Sequence, residues 1–134
     1  MTDPDLIVRI AGKGDGATAD GRHVPMSAPG DRLREDGSLE HGPHHADPPC
    51  IHYPECGGCQ LQHLDDESFA DYVRGRVAGA LAGQGLDPAV VLLPYVSPPQ
   101  ARRRAALKAG RFGKKLALGF SEEGSHRIID MRMC

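Results

Sequence analysis

The sequence predicts an α+β fold: a front part of short strands, followed by a second part in which one helix packs on an antiparallel sheet. Apolar runs of strand length recur between glycine and proline turn signals. One stretch after residue 65 repeats its apolar side chains at spacings of three and four, the period of a helix face. Four cysteines stand in a 134-residue chain that is only 4% aromatic, has no tryptophan and carries 17 Gly and 11 Pro. So little bulky apolar surface offsets chain entropy poorly, and something besides an apolar core must hold the fold.

Along the chain, residues 6–10, LIVRI, have strand composition, and the glycines after them and the Asp20-Gly21 turn dipeptide predict short strands joined by tight turns. Residues 23–26, HVPM, make a second strand, closed by Pro29-Gly30, a pair suited to a type II turn. Residues 34–49 offer almost no apolar side chain beyond Leu39 and Ala46 and read as an exposed linker. Asp65, Asp66 and Glu67 supply a cap and negative charge at the start of a helix running to about Leu81 or Ala82, with Phe69, Tyr72, Val73, Val77, Ala80 and Leu81 as the stripe that packs on the sheet. Residues 90–96 form an apolar strand, residues 102–109 and 115–120 a hairpin around Gly110 to Gly113, and residues 128–131 a further strand.

Charge is divided along the chain. The formal net charge is −2, yet residues 1–100 carry 7 basic and 15 acidic side chains whereas residues 101–134 carry 9 and 3. An anionic partner is expected at the basic end, through Arg102, Arg103, Arg104, Lys108, Lys114 and Lys115, although alternate side chains of a strand point to opposite faces. Phe112 at the hairpin tip is a candidate for stacking on a base or for covering a neighbouring core. No apolar run is long enough to cross a bilayer and the first residues lack a signal-peptide pattern, so the expectation is a cytoplasmic monomer without membrane association.

The cysteines are the strongest signal. Cys50, Cys56 and Cys59 lie in CIHYPECGGC, and Cys134 is far downstream. In a reducing compartment such a set is a metal site sooner than a disulfide pair. Three thiolates around one face and a distant fourth suit a [4Fe-4S] cluster, with Gly57 and Gly58 letting backbone N–H groups reach the sulfurs. Tetrahedral zinc is the runner-up, because zinc ribbons use two short-spaced pairs and only one is present. Five residues between the first two cysteines argue against radical adenosylmethionine chemistry. His63 reads as a turn cap or as a donor to a cluster sulfur, and His41, His44 and His45 as solvated loop residues.

The segment Cys50-x5-Cys56-Gly57-Gly58-Cys59-Gln60-Leu61-Gln62-His63-Leu64 resembles the cluster segment of the bacterial RNA (uracil-5-)-methyltransferases, in particular the 23S ribosomal RNA enzymes that carry a [4Fe-4S] cluster. Arg102-Arg103-Arg104 is similar to their arginine-rich strand, and Leu118-Gly119-Phe120, Ser125-His126 and Ile128-Ile129-Asp130 are similar to the run leading to their fourth cluster ligand. The glycine-rich stretch IAGKGDGATADGRHVPMSAPGDRL resembles the TRAM domain, a small RNA-binding β-barrel.

The resemblance implies a TRAM-like domain and linker over residues 1–48, an iron-sulfur domain over 49–134 with Cys50, Cys56, Cys59 and Cys134 as ligands, and ribosomal RNA as partner. It implies a reaction in which a cysteine adds to uracil C6, C5 takes a methyl group from S-adenosylmethionine, and a base removes the C5 proton. The adenosylmethionine-binding domain with those groups is expected outside the 134 residues, so no catalytic residue is assigned within them. A non-catalytic metal-stapled RNA-binding module, a relative acting on tRNA, and a redox or iron-handling protein are the competing readings.

Overall fold

The computed structural model describes residues 2–134, and its elements are small. The chain divides into two compact units: one takes residues up to 47 together with 63–96, the other 48–62 together with 97–134. The helix expected in the same domain as the cysteines therefore belongs to the first unit.

In the first unit β1 (Ile7–Ile10), β2 (Gly16–Thr18) and β3 (His23–Val24) form an antiparallel three-stranded sheet in that order. A separate antiparallel pair joins β4 (Arg32–Leu33) to β5 (Leu39–Glu40). The Pro29-Gly30 turn forms as expected, with Gly30 at φ 91°, a conformation that glycine adopts without steric cost. Beyond it, Ile7 N donates to Asp31 O and Gly30 N to Ile7 O, both at 2.8 Å, and Leu6 bridges Arg32. Among the described residues these pairings do not close into a barrel; the strands are too short, and no ladder joins β3 to β5.

The core of this unit is built from small side chains and polar ones. Ile7, Ala17, Ala28, Ser27, Asp31 and His63 are almost fully buried. Residues 34–49 are not the featureless linker that composition suggests, since they contain β5, and Asp31 ties down the chain at Gly42 and His45. Its Oδ1 accepts from Gly42 N at 2.8 Å and its Oδ2 from Ala28 N at 2.8 Å, with His45 Nδ1 at 2.7 Å. Low hydrophobicity hid this anchoring, which depends on hydrogen bonds instead of apolar area.

Helix α1 (Asp66–Gly83) begins where expected, with Asp65 as N-cap accepting from Ser68 N at 2.8 Å. Its apolar stripe is not buried against a sheet as the spacing predicts. Ser68 is the one helix residue fully buried, and Val77 is 51% exposed. The helix meets the 3-10 turn Pro88–Val90 that follows it, where Arg74 Nε donates to Val91 O at 3.0 Å, and it reaches the residues after β1, where Tyr72 OH donates to Gly12 O at 3.2 Å. Residues 91–96 form no strand; without a ladder partner, Leu92, Leu93 and Tyr95 stay exposed.

The second unit contains the hairpin β6 (Lys108–Phe112) and β7 (Lys115–Gly119), paired from Lys108↔Gly119 to Phe112↔Lys115. Residues facing across this ladder share a sheet face. Gly110, Ala117 and Gly119 therefore lie on one face, packed by Ile128 and Met131, while Arg111, Leu116 and Leu118 lie on the other and are exposed. Residues 128–131 track β7 through Ile129 N to Phe120 O (2.9 Å) and Met131 N to Leu118 O (3.0 Å), but they form only a bridge, Ser121↔Ile128, and not the full strand predicted.

Candidate metal centre and basic hairpin

All four cysteines are free. Cys56 is buried in the second unit, Cys50 and Cys59 are half-buried, and Cys134 is exposed. The loop is shaped by local hydrogen bonds: Cys50 N donates to Gln62 Oε1 (3.2 Å), Tyr53 N to Cys50 O (3.2 Å), Cys56 N to His52 O (2.8 Å), and Tyr53 OH to Gln60 O (2.9 Å). Gly58 N donates to Cys56 Sγ at 3.4 Å, the kind of backbone contact the two glycines suggested.

Both glycines are required by close approach. A Cβ at Gly57 would lie 2.9 Å from Ser121 O, and one at Gly58 would lie 2.9 Å from Phe120 Cδ2 and 3.4 Å from Cys56 Sγ. The loop is thereby pressed onto residues 120–123, where Gly57 N donates to Ser121 O and Glu123 N to Glu55 O, each at 2.8 Å, and Cys56 bridges Glu122. A recess of about 310 Å³ beside it is lined by Gly57, Gly58, Lys108, Phe120 and Glu122 among others. Among the described residues no three cysteine sulfurs lie within 4.8 Å of one another.

The basic residues are exposed but less unified than their sequence proximity suggests. Arg102, Arg103 and Arg104 precede β6 instead of lying on a strand, because the ladder starts only at Lys108. Arg102 stacks its guanidinium 5.6 Å from the centre of the Phe120 ring, and Lys108 Nζ donates to Ser121 Oγ at 2.8 Å. Lys115 shares a sheet face with Phe112 and Lys108, whereas Arg111 projects from the other; Lys114 sits in the turn. Phe112 is 55% exposed and its ring lies over Gly110.

The histidines depart most from expectation. His63 does not belong to the cysteine unit: it is 1% exposed in the first unit with Nε2 3.2 Å from Ser27 O, and burial pushes its pKa down. His45, half-buried, lies against Asp31 and stacks on His41 with ring centres 3.5 Å apart. His44 Nδ1 lies 2.8 Å from Asp65 Oδ2, and that hydrogen bond raises its pKa against partial desolvation. For Asp65 burial acts to raise the pKa, but the Ser68 N–H and His44 together hold it below the ordinary value. His44, Asp65 and Glu67 are the one group of metal-type donors within 4.8 Å among the described residues, although Asp65 is already committed to the helix cap and to His44.

Sequence reasoning missed the contacts that join distant segments. Arg127 Nη2 donates to Glu55 Oε1 at 2.6 Å and to Glu122 Oε1 at 2.7 Å, and Arg132 N donates to His52 Nε2 at 2.9 Å. Partners 72 and 80 positions apart leave no periodic or local signal.

No family model matches the chain. Among curated proteins it is similar to one named an uncharacterized RNA methyltransferase from Zymomonas mobilis, with 45% identity over 128 residues that cover 96% of this chain and 32% of that protein. A similarly named protein from Brucella suis is 38% identical over 143 residues, 96% of this chain and 34% of the relative. One from Halalkalibacterium halodurans is 31% identical over 128 residues, 83% of this chain and 28% of the relative. The chain thus spans about a third of the length of the relatives it matches. No helix among the described residues is long and apolar enough to cross a membrane. At 38–45% identity over 96% of its residues, the chain matches a portion, about a third, of bacterial proteins named RNA methyltransferases.

Proposed function

We propose that these residues form the RNA-binding and [4Fe-4S]-holding portion of an S-adenosylmethionine-dependent enzyme that makes 5-methyluridine in 23S ribosomal RNA. Cys50, Cys56, Cys59 and Cys134 are the assigned ligands; Arg102, Arg103, Arg104, Lys108, Lys114 and Lys115 are the assigned RNA contacts. We assign the methyl donor and the methyl-transfer chemistry to the rest of the protein and no step of it to the residues described here.

The observation that carries the reading is the cysteine loop itself. A buried sulfur, Cys56 Sγ, receives a backbone N–H from Gly58, and both loop glycines sit where a Cβ would collide with the neighbouring segment. A backbone N–H aimed at sulfur is a usual setting for a sulfur that holds a metal group.

Bound there, a cluster would supply four covalent cross-links to a unit whose buried apolar side chains are few: Cys56, Ala117 and Ile129. The chain's own residues shape the loop and present positive charge beside it. Anaerobic purification with iron and sulfide determination tests the assignment. About four of each per chain are expected, with both lost in Cys56→Ser; one zinc per chain and no sulfide would overturn it. Competition of ribosomal RNA fragments against tRNA for the protein tests the partner, with ribosomal RNA expected to win.

A further inference from the structure

Protein contacts join the loop bearing Cys50, Cys56 and Cys59 to the tail ending in Cys134. Two backbone hydrogen bonds lace residues 55–57 to residues 121–123: Gly57 N donates to Ser121 O and Glu123 N to Glu55 O, and together they make the Cys56↔Glu122 bridge. Residues 122–127 are closed on themselves by Glu122 N to Arg127 O (2.7 Å), Ser125 Oγ to Glu122 Oε2 (2.6 Å) and Arg127 N to Ser125 Oγ (3.1 Å). Two residues before Cys134, Arg132 N donates to His52 Nε2.

This lacing places two carboxylates, Glu55 and Glu122, on facing segments beside a set of thiols. A thiolate-held centre is itself negative, and two neighbouring carboxylates would oppose it and each other. Arg127 meets both with one guanidinium nitrogen, at 2.6 and 2.7 Å. All three side chains retain solvent contact, so their contribution to bulk stability is small, and geometry is the more fitting role.

We propose that Arg127 is a positioning residue for the metal centre: by bridging Glu55 and Glu122 it fixes the three-cysteine loop against the segment that leads to Cys134, so that the four sulfurs are arranged before the group is inserted. This rests on the cluster reading of Cys50, Cys56, Cys59 and Cys134. Groups that orient ligands from behind alter metal affinity by roughly 10- to 100-fold, and the exposure of this bridge places its effect near the lower figure, about ten-fold.

The test uses the whole chain, reconstituted anaerobically with iron and sulfide. Iron release to a chelator is timed for the parent and for Arg127→Ala, Arg127→Lys and Glu55→Gln/Glu122→Gln, with circular dichroism on each. Arg127→Ala is expected to load iron and sulfide but release them about ten-fold faster. Arg127→Lys, which keeps the charge, should fall between it and the parent. In the metal-free protein, amide exchange at Gly57 and Glu123 should quicken in Arg127→Ala while exchange in α1 does not.

Adding Arg127→Ala to the double Gln variant should change little, because the bridge is already gone. Equal release from the parent and Arg127→Ala, or an Arg127→Ala effect undiminished in the double Gln background, overturns the proposal. If Arg127→Ala loses its helical spectrum, the double Gln variant carries the same expectation of faster release. A parent chain that takes up no iron or sulfide overturns the cluster reading, and the positioning role with it.

Discussion

Asp31 shows how far one side chain can organise a segment that composition leaves undefined. Its carboxylate is fully buried and accepts from two backbone N–H groups, at Ala28 and Gly42, while His45 closes on the same oxygen as Ala28. Asp31→Ala orphans both donors in a buried site and is expected to cost about 3 kcal/mol in denaturant unfolding; a loss below about 1 kcal/mol would show that water replaces the carboxylate. His63 gives a pH signature. Burial depresses its pKa in the folded state, so its stability contribution is complete above the ordinary value of 6.5 and declines as pH falls from there toward the lower folded value. His44 is shifted the opposite way and gains as pH falls, so comparison with His63→Gln isolates the effect. Melting temperature should fall less between pH 7.5 and pH 5.5 in His63→Gln than in the parent, and parallel profiles would refute the assignment.

Among the elements, the helix and hairpin were legible because their signals are local. Asp65 as cap, acidic residues in the first turn and glycines after residue 82 mark the bounds of α1, and strand-like runs on either side of Gly110 to Gly113 mark a hairpin, although its first strand starts at Lys108 and not at Arg102 and its turn is only Gly113-Lys114. What the helix packs on was not legible: a stripe at helical spacing specifies a face but not its neighbours, and here these are a 3-10 turn and the residues at and after the end of β1. The cysteine loop is the element most sensitive to single atoms. Gly58→Ala adds a methyl group 2.9 Å from Phe120 Cδ2, so the loop or the ring must move. The expected cost is about 1–3 kcal/mol in the unfolding of the second unit, with weaker retention of iron; an unchanged denaturation midpoint would mean that the Phe120 ring swings aside freely.

For the whole molecule, electrostatics and partner choice depend on where the excess basic charge falls. Residues 101–134 hold 9 basic and 3 acidic side chains, and the proposed RNA contacts among them are exposed. Because Lys115 and Arg111 project from opposite faces of the hairpin, one RNA surface does not engage every cation. If Arg103 and Lys115 each neutralise a phosphate of single-stranded RNA, replacing both by Ala should make the log affinity against log salt plot shallower by roughly 1.4, at about 0.7 per contact. A slope unchanged by the double substitution would remove these residues from the interface.

The sequence by itself determined the features that depend on neighbours along the chain: the helix and its cap, the hairpin, the Pro29-Gly30 turn, the three-plus-one cysteine pattern and the concentration of positive charge. Each rests on spacing or backbone preference within a few residues. Only the tertiary structure decided that the strands of the first unit stay open, that His63 is buried and His45 packs on Asp31, that α1 belongs with the first unit, and that Arg127 bridges Glu55 to Glu122. Those outcomes depend on hydrogen bonds and ion pairs between segments far apart in sequence, and a small-residue core with little apolar area leaves such bonds to set the arrangement.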